Sequence, residues 1–262
     1  MHEREALHHG FAYVYRLIDL DLLGRGAKVL PELLGAAEQL GFDGLNITYP
    51  CKQAVLPLLH ELSEDARAIG AVNTVVFREG LRIGHNTDGW GFAEAFKRGL
   101  PGANLDHVVQ LGAGGAGAAV AHALLILGAG IVTLFDPEAL RAQYLARALC
   151  ERFGPGRAVQ GGDLEIARQA SGLVNATPVG MAAHPGLPIP AALLRPELWV
   201  AEIIYFPLET ELLRVARAKG CRTLDGSGMA VFQAVEAFRL FTGITPDAKR
   251  MREHFLALGN SA

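Results

Sequence analysis

The sequence lacks the features that mark several classes of protein. No apolar run among its 262 residues approaches the length of a membrane span, and the N-terminal stretch contains no apolar segment typical of a signal peptide. Its three cysteines form no CxxC pair, which favours a reducing compartment, the cytoplasm. Because His2, His8 and His9 have no acidic or cysteine partners at metal-ligand spacing, no metal site is predicted.

Charge and composition narrow the remaining choices. A formal net charge of −3 gives no electrostatic reason to expect nucleic acid as a partner. The residues are 50% apolar and 19% charged, which suits a compact globular α/β protein of one or two domains. We therefore expect a small-molecule substrate as the ligand and no membrane partner, while a monomer and a homodimer both stay open.

Helical and extended patterns alternate along the chain. In the first part, the spacing predicts strands over 44–48, 72–78 and 81–85 and helices over 29–40, 52–62, 63–69 and 90–97. Further along, it predicts strands over 107–111, 131–135, 172–175, 199–204 and 222–224, and helices over 118–127, 138–152, 209–219, 229–241 and 246–258. This second rhythm is typical of a parallel, doubly wound sheet. We predict an α/β protein with a Rossmann dinucleotide-binding domain over 98–225 and a smaller, discontinuous α/β substrate-binding domain over 1–97 and 226–262, with a cleft between them.

A glycine-rich turn follows the first strand of the predicted Rossmann domain, and an alanine-rich helix follows the turn. Its residues are Gly112, Ala113, Gly114, Gly115, Ala116 and Gly117. In a G-x-G-x-x-G pattern, the glycines make the tight turn, let the backbone approach a pyrophosphate and allow close packing of helix on strand. A purely structural turn is the alternative, but the strand–turn–helix context favours a dinucleotide at the helix N-terminus.

Asp136 ends the second strand of the same predicted domain. A carboxylate at this point can accept hydrogen bonds from the adenosine ribose hydroxyls and repels a 2′-phosphate, so NAD is predicted over NADP. Arg141 favours NADP instead, because a nearby guanidinium can accommodate a phosphate. Asp136 could also serve as a helix N-cap, since Asp-Pro-Glu is a good helix start.

Three clusters of polar residues lie in the other predicted domain, at 46–52, 70–74 and 84–88. Each cluster falls at or near the end of a predicted strand or helix, where ligands bind in open α/β sheets. Amide, hydroxyl, ammonium and carboxylate groups converging in this way suit a small, polyhydroxylated, anionic substrate.

The motifs together resemble those of the shikimate/quinate dehydrogenase family. They occur in family order from about residue 40 to residue 243, so the resemblance covers most of the chain. The matching segments are GLNITYPCK (44–52), GAVNT (70–74), NTD (86–88), GAGGAG (112–117), NATPVGM (175–181), IIYFPLETELL (203–213) and DGSGMAVFQAVEAFRLFTG (225–243).

The resemblance implies roles for individual residues. Lys52 matches the catalytic lysine of the family, and Asp88 matches its partner carboxylate. Ile203 and Gly226 match residues around the nicotinamide. The residues that match those holding the substrate or lying near it are Thr48, Lys52, Asn73, Asp88, Tyr205 and Gln233.

The chemistry of alcohol oxidation agrees with these roles. A proton leaves oxygen while hydride leaves carbon, and a lysine can take that proton while a carboxylate orients it. Each residue also has a plain structural explanation: Lys52 as a solvated charge, Asp88 as a helix N-cap, and Tyr205 as a packed strand-end side chain. Gln233 lies on an otherwise apolar helix face, which favours a ligand contact because burial without a partner costs free energy.

The sequence departs from the family pattern at its start. The family normally begins with a strand that ends in a Ser-x-Ser-Pro type motif, which holds the substrate carboxylate. The chain begins where that motif would just have ended. We therefore hypothesise that Met1 is an internal methionine of a longer reading frame; a natively expressed protein of the same mass as this chain would contradict the hypothesis.

A second departure concerns the cofactor. NADP-type members carry an Asn-Arg-Thr-like segment after the second Rossmann strand, whereas this chain has Phe135-Asp136-Pro137-Glu138, as NAD-using members do. We predict a NAD-dependent oxidoreductase that interconverts shikimate and 3-dehydroshikimate, with quinate and 3-dehydroquinate as a second pair. An aminoshikimate-type relative, a biosynthetic NADP-dependent shikimate dehydrogenase and a non-catalytic dinucleotide-binding regulator are the alternatives.

Overall fold

The computed structural model describes residues 1–259. They form two compact units: the first consists of Met1–Thr87 and the chain from Val231 onward, and the second of Asp88–Ala230. Within these residues, no helix combines the length and the apolar character needed to cross a membrane.

The first unit is built on a small mixed sheet. Its helices before residue 88 are α1 (His2–His8), α2 (Leu20–Leu23), α3 (Leu30–Gln39) and α4 (Glu64–Ile69), and its strands are β1 (Gly44–Asn46), β2 (Glu61–Leu62), β3 (Thr74–Arg78) and β4 (Leu81–His85). The strand order is β1-β3-β4-β2, in which β3 runs antiparallel to β1 and β4, and β2 lies parallel to β4. Leu34 of α3 packs with Val55, Val72 and Val75 to form the core of this unit.

The helix predicted over 52–62 is wrong. The segment forms turns, a short 3₁₀ helix at Leu56–Leu58 and then strand β2. Pro57 cannot donate the backbone hydrogen bond that a continuing helix needs, and Leu59 is extended, with φ −101° and ψ 147°. The amides of His60 and Ser63 instead donate to the carbonyls of Arg82 and Gly84 in β4, so pairing with a distant strand decides the conformation.

The second unit is a doubly wound α/β structure. Its strands are β5 (His107–Leu111), β6 (Ile131–Phe135), β7 (Ala158–Gln160), β8 (Gly172–Asn175), β9 (Trp199–Glu202) and β10 (Thr223–Leu224), and its helices are α5 (Asp88–Gly99), α6 (Gly115–Ile126), α7 (Ala139–Phe153) and α8 (Glu211–Ala218). All six strands are parallel, in the order β10-β9-β8-β5-β6-β7. The order reverses between β5 and β8, which is the Rossmann arrangement and confirms the predicted fold.

Both faces of this sheet are buried. Val108, on one face of β5, packs in a cluster with residues of α5, α6 and α7, while its neighbour Val109 packs on the other face with residues of α8. Adjacent residues of a strand point to opposite faces, so the continuous apolar run of β5 is expected for a strand covered on both sides. This layering fixes the carboxyl ends of β5 and β8 side by side, where such sheets bind their ligands.

Two helices end the described chain, α9 (Ser227–Thr242) and α10 (Ala248–Gly259). Val231, Ala234 and Val235 of α9 form a small apolar cluster with Met251 of α10. Helix α10 is also joined to α1, because Arg250 Nη2 donates to Glu5 Oε1 at 2.6 Å and Glu5 is fully buried.

Candidate functional site

The glycine-rich turn lies between the end of β5 and the start of α6, as predicted. Gly112 has φ +96°, and a Cβ there would come within 2.5 Å of the carbonyl oxygen of Ala176. A Cβ on Gly117 would overlap the carbonyl oxygen of Gly112, so this glycine is required by the close packing of helix and turn. A Cβ on Gly114, by contrast, would meet nothing within 4 Å. The turn therefore leaves open space at Gly114.

The start of α6 suits a phosphate group. Gly114 is its N-cap and contributes no side-chain cap, and the first helix residues are Gly115, Ala116 and Gly117. The first amides of a helix have no intrahelical acceptor and lie at the positive end of the helix dipole. With the open space at Gly114, these residues fit the pyrophosphate of a dinucleotide.

Gln110, which the sequence reading did not single out, holds the turn in place. It is fully buried in β5, and its Nε2 donates to the carbonyls of Gly112 at 2.9 Å and Gly117 at 2.8 Å. One side chain thus ties both ends of the glycine-rich segment together. The signal that could have found it is a polar residue within the apolar strand His107–Leu111.

Asp136 is placed at the end of β6 and is bonded to the same turn. Its Oδ2 accepts a hydrogen bond from the Ala113 amide at 2.8 Å, and its Oδ1 accepts one from the Glu138 amide at 2.9 Å. Because Glu138, and not Asp136, is the N-cap residue of α7, the alternative reading of Asp136 as the helix N-cap is not what the structure has. Each carboxylate oxygen keeps a second lone pair for another donor.

Arg141 lies in the first turn of α7 and is exposed. Its Nη2 is 2.8 Å from Glu138 Oε1, three residues earlier on the same turn. The positive charge that would favour a phosphate is therefore balanced by a neighbouring carboxylate. Such exposed pairs are weak, so the pair modulates the local charge more than it fixes the structure.

A buried carboxylate lies at the carboxyl end of β9. Glu202 is 2% exposed, and Asn175, at the carboxyl end of the adjacent strand β8, donates its Nδ2 to Glu202 Oε1 at 3.1 Å and Oε2 at 3.0 Å. The Ile204 amide and the Thr210 hydroxyl also donate to Glu202, each at 3.1 Å. Burial raises the pKa of this carboxyl to about 7 even though these hydrogen bonds lower it. The sequence reading missed Glu202, although it is an acidic residue in an otherwise apolar strand.

The predicted nicotinamide residues follow this strand. Ile203 is partly buried, and its amide donates to the carbonyl of Asn175 at 3.2 Å. Gly226 is buried and lies against the backbone of Ile203 and Ile204, where a Cβ would overlap the Ile204 carbonyl oxygen. Tyr205 is 53% exposed, so it is not a packed strand-end side chain. Ile203 and Gly226 are thus brought together within the second unit.

In the first unit, the polar residues at 70–74 and 84–87 are joined to each other. Asn73 is buried; its Nδ2 donates to the Thr87 hydroxyl at 2.9 Å, and its Oδ1 accepts from the Thr87 amide at 2.8 Å. Asn86 Nδ2 donates in turn to the carbonyl of Ala71 at 2.9 Å. These reciprocal bonds fix the backbone immediately before Asp88, which is itself buried and begins α5.

Thr48 and Lys52 share the loop that follows β1. Thr48 is exposed and Lys52 is partly buried, while Cys51 and Val55 anchor the loop in the core of the unit. The Lys52 carbonyl accepts a hydrogen bond from the Val72 amide at 2.8 Å, so the loop lies beside the segment that carries Asn73. Gln233 is partly buried on α9, a milder burial than its apolar neighbours suggest.

Comparisons with known proteins agree with the motifs. Residues 1–75 match the shikimate dehydrogenase substrate binding domain, and residues 226–254 match the shikimate 5'-dehydrogenase C-terminal domain. A shikimate dehydrogenase (NADP(+)) of Streptomyces avermitilis is 60% identical over all of this chain and 91% of its own length. A quinate/shikimate dehydrogenase (NAD(+)) of Corynebacterium efficiens is 52% identical over 98% of this chain and 92% of its own length.

A solved structure shows the same relationship in three dimensions. Quinate dehydrogenase from Corynebacterium glutamicum in complex with NAD superposes with a TM-score of 0.90 at 52% identity, over 98% of this chain and 92% of that one. Identity and coverage at this level go well beyond a shared fold. The chain belongs to the shikimate/quinate dehydrogenase family.

Proposed function

We propose that the protein is an oxidoreductase that interconverts shikimate and 3-dehydroshikimate with NAD, and quinate and 3-dehydroquinate as a second pair. The observation that carries the choice of cofactor is Asp136, whose carboxylate lies at the end of β6 and is bonded to the Ala113 amide of the glycine-rich turn. The choice of reaction is supported by relatives named shikimate and quinate/shikimate dehydrogenases that align over nearly the whole chain.

In this proposal the first unit binds the substrate through its polar clusters. Thr48, Asn73 and Gln233 provide hydroxyl and amide groups for the ring hydroxyls. Asn73 already makes hydrogen bonds with Thr87, so its side chain is held in a fixed orientation before substrate arrives. Fixed donors and acceptors favour a polyhydroxylated ring over an apolar ligand of the same size.

Lys52 and Asp88 are the proposed proton-transfer pair. Bound NAD supplies the acceptor for the hydride that leaves the ring carbon. Lys52, in its neutral form, takes the proton of the reacting hydroxyl at Nζ, and the carboxylate of Asp88 orients the ammonium that results. The hydrogen bonds between Asn73 and Thr87 support this role, because they fix the backbone that enters Asp88.

The two carboxylates near the adenosine end argue for NAD. Asp136 accepts hydrogen bonds from the ribose hydroxyls and repels a 2′-phosphate. Glu138 balances the charge of Arg141 through a 2.8 Å ion pair. One observation favours the alternative, an NADP-dependent shikimate dehydrogenase: the relative from Streptomyces avermitilis carries NADP(+) in its name. The solved Corynebacterium glutamicum enzyme was found with NAD.

The cofactor proposal is tested by Asp136→Asn, with Arg141→Ala as the matched control. In Asp136→Asn the ratio of kcat/KM for NAD to kcat/KM for NADP should fall by about tenfold, because the carboxylate charge that disfavours the 2′-phosphate is removed. A tenfold change corresponds to about 1.4 kcal/mol of discrimination between the two cofactors. Arg141→Ala should raise the same ratio or leave it unchanged. A ratio that does not respond to Asp136→Asn would refute the role given to this carboxylate.

The catalytic proposal is tested by Lys52→Met. Turnover of shikimate should fall by about a hundredfold or more, because a positioned acid–base group is lost, while the dissociation constant of NAD stays unchanged. Turnover within a few fold of wild type would refute the proton-transfer role. As a further part of the proposal, the enzyme acts in the cytoplasm; the three free cysteines support a reducing setting.

A further inference from the structure

The carboxylate of Glu202 is surrounded by donors. Asn175 Nδ2, the Ile204 amide and the Thr210 hydroxyl all donate to it, and Thr210 in turn accepts from the Leu213 amide as the N-cap of α8. A carboxylate is an acceptor at both oxygens, whereas an amide of the same shape is an acceptor at only one. Because Asn175 Nδ2 lies 3.1 Å from Oε1 and 3.0 Å from Oε2, an amide in either orientation would turn an NH₂ group towards Asn175 Nδ2.

Asn175 connects Glu202 to the turn that follows β8. Its Nδ2 also donates to the Val179 carbonyl at 2.9 Å, and its Oδ1 accepts from the Thr177 hydroxyl at 2.7 Å and the Thr177 amide at 3.1 Å. Any displacement of the Asn175 side chain therefore breaks the bonds that shape the turn over 175–179. The backbone of Ala176 at the start of this turn lies against Gly112 of the dinucleotide turn.

Glu202 also fixes the segment on its own strand. The Ile204 amide donates to its Oε1, and Gly226 lies against the backbone of Ile203 and Ile204 with no room for a Cβ. The segment that carries Ile203 is thus held on one side by Glu202 and on the other by Gly226. Ile203 and Gly226 are the two residues proposed to lie around the nicotinamide.

We propose that Glu202 is a positioning residue for the nicotinamide end of the cofactor, acting through the turn over 175–179 and the Ile203–Ile204 backbone. The inference rests on the proposed function, because it takes Ile203 and Gly226 as nicotinamide residues. None of the hydrogen bonds described for Glu202 reaches the glycine-rich turn, which Gln110 and Asp136 hold at the phosphate and ribose end. Its replacement should therefore affect one end of the cofactor and spare the other.

The test compares intact NAD with ADP-ribose, which lacks the nicotinamide. At alkaline pH, where Glu202 of wild type is ionised, kcat/KM for NAD and the affinity for intact NAD should each fall by about tenfold or more in Glu202→Gln, as for a displaced binding group. The affinity for ADP-ribose, measured by calorimetry, should stay within about twofold of wild type. Glu202→Asp keeps a carboxylate with acceptors only and should recover most of the loss.

Thr133→Val is the matched control. Thr133 is buried in β6 of the same unit, where its hydroxyl is 2.8 Å from the His107 ring at the opposite, amino-terminal end of β5. It should lower the melting temperature without separating the affinities for NAD and ADP-ribose. If Glu202→Gln behaves like this control, or loses ADP-ribose and NAD affinity equally, the positioning role is overturned.

The same measurements distinguish this inference from the proposed function. If wild type binds NAD but turns over neither shikimate nor quinate, the proposed reaction fails while the difference between NAD and ADP-ribose still tests Glu202. If wild type turns over its substrate and Glu202→Gln retains full kcat/KM for NAD, the reaction stands and the positioning role fails.

Discussion

Replacing Glu202 by Gln should change how the stability of the protein depends on pH. Burial raises the pKa of this carboxyl from 4.5 to about 7, so the folded state prefers the neutral form relative to the unfolded state. A group with a raised carboxyl pKa leaves the protein most stable below the unfolded value and lowers its stability as pH rises from 4.5 through 7. At about 1.4 kcal/mol for each pKa unit, the full effect is about 3 kcal/mol, of which about 2.5 kcal/mol falls between pH 5 and pH 8.

The assay is urea unfolding of wild type and Glu202→Gln at a series of pH values. Other groups titrate equally in both proteins, so the difference in their free energies of unfolding isolates Glu202. Wild type should lose about 2.5 kcal/mol relative to the variant from about pH 5 to about pH 8, whatever constant offset the amide introduces. A difference that does not change with pH would contradict the raised pKa of Glu202, because it would mean that the carboxyl titrates alike in the folded and unfolded states.

Three further changes test other parts of the structure. Gly117→Ala should weaken NAD binding by about tenfold or more in calorimetry, because the new Cβ overlaps the Gly112 carbonyl oxygen; unchanged binding would contradict the packing. Gln110→Leu should lower the free energy of unfolding by about 2 kcal/mol in urea melts, because two buried carbonyls lose a donor; no loss would mean that the conformation of the glycine-rich turn does not depend on Gln110. Burial alone would raise the pKa of Glu5, but hydrogen bonds, first among them that from Arg250, lower it to about 2. Glu5→Gln should therefore lower the melting temperature above about pH 4.5, and the two melting temperatures should converge as pH falls towards 2; a gap that widens on acidification would exclude this ion pair as the cause.

A buried charge near a binding site is expected to lower stability while serving function. Glu202 has no cation among the contacts described for it, only donors from Asn175, Ile204 and Thr210 and the Ile203 amide. An apolar or amide side chain would avoid the desolvation of a carboxylate but would lose its set of four acceptor positions. The combination predicted for Glu202→Gln, a relative gain in stability at alkaline pH and a loss of nicotinamide binding, follows from this conflict.

The sequence predicted best those elements whose signal is local. β4, β5, β6 and β8 have the predicted bounds. β5 and β6 are short runs rich in apolar and β-branched residues, and turn residues flank these strands in the sequence. The glycine-rich turn could be recognised for the same reason, since strand, turn and helix are consecutive in the chain. Gly41, which follows the C-cap of α3, is a further locally determined feature of the structure, with φ +76° and its amide bonded to the Glu38 carbonyl.

Elements that depend on pairing with residues distant in the chain were not predicted from the sequence. The segment over 52–62 has helical spacing, yet its last residues, 60–62, pair with β4. Strand β7 was not predicted because it has only three residues, Ala158–Gln160, and exists through pairing with β6. The bonds that join Glu202 to Asn175 and Thr210 cross 27 and 8 residues of chain, and no periodic pattern signals them.

The candidate site shows the same division. Asp136 could be assigned to the end of its strand from the sequence, but its bond to the Ala113 amide depends on how β5 and β6 are placed side by side. Asn73 could be assigned to a polar cluster, but not its reciprocal bonds with Thr87, which require the β3–β4 hairpin to bring the two segments together. Residue types were thus predictable, whereas orientation depends on the sheet.

One set of initial-rate measurements decides whether the protein is a NAD-dependent shikimate dehydrogenase. Shikimate and quinate are each assayed with NAD and with NADP at alkaline pH, where a lysine can act as a base. We expect turnover of shikimate with NAD, measurable turnover of quinate with NAD, and at least about tenfold lower kcat/KM with NADP. Faster turnover with NADP would contradict the role of Asp136, and no turnover in any of the four combinations would contradict the proposed function.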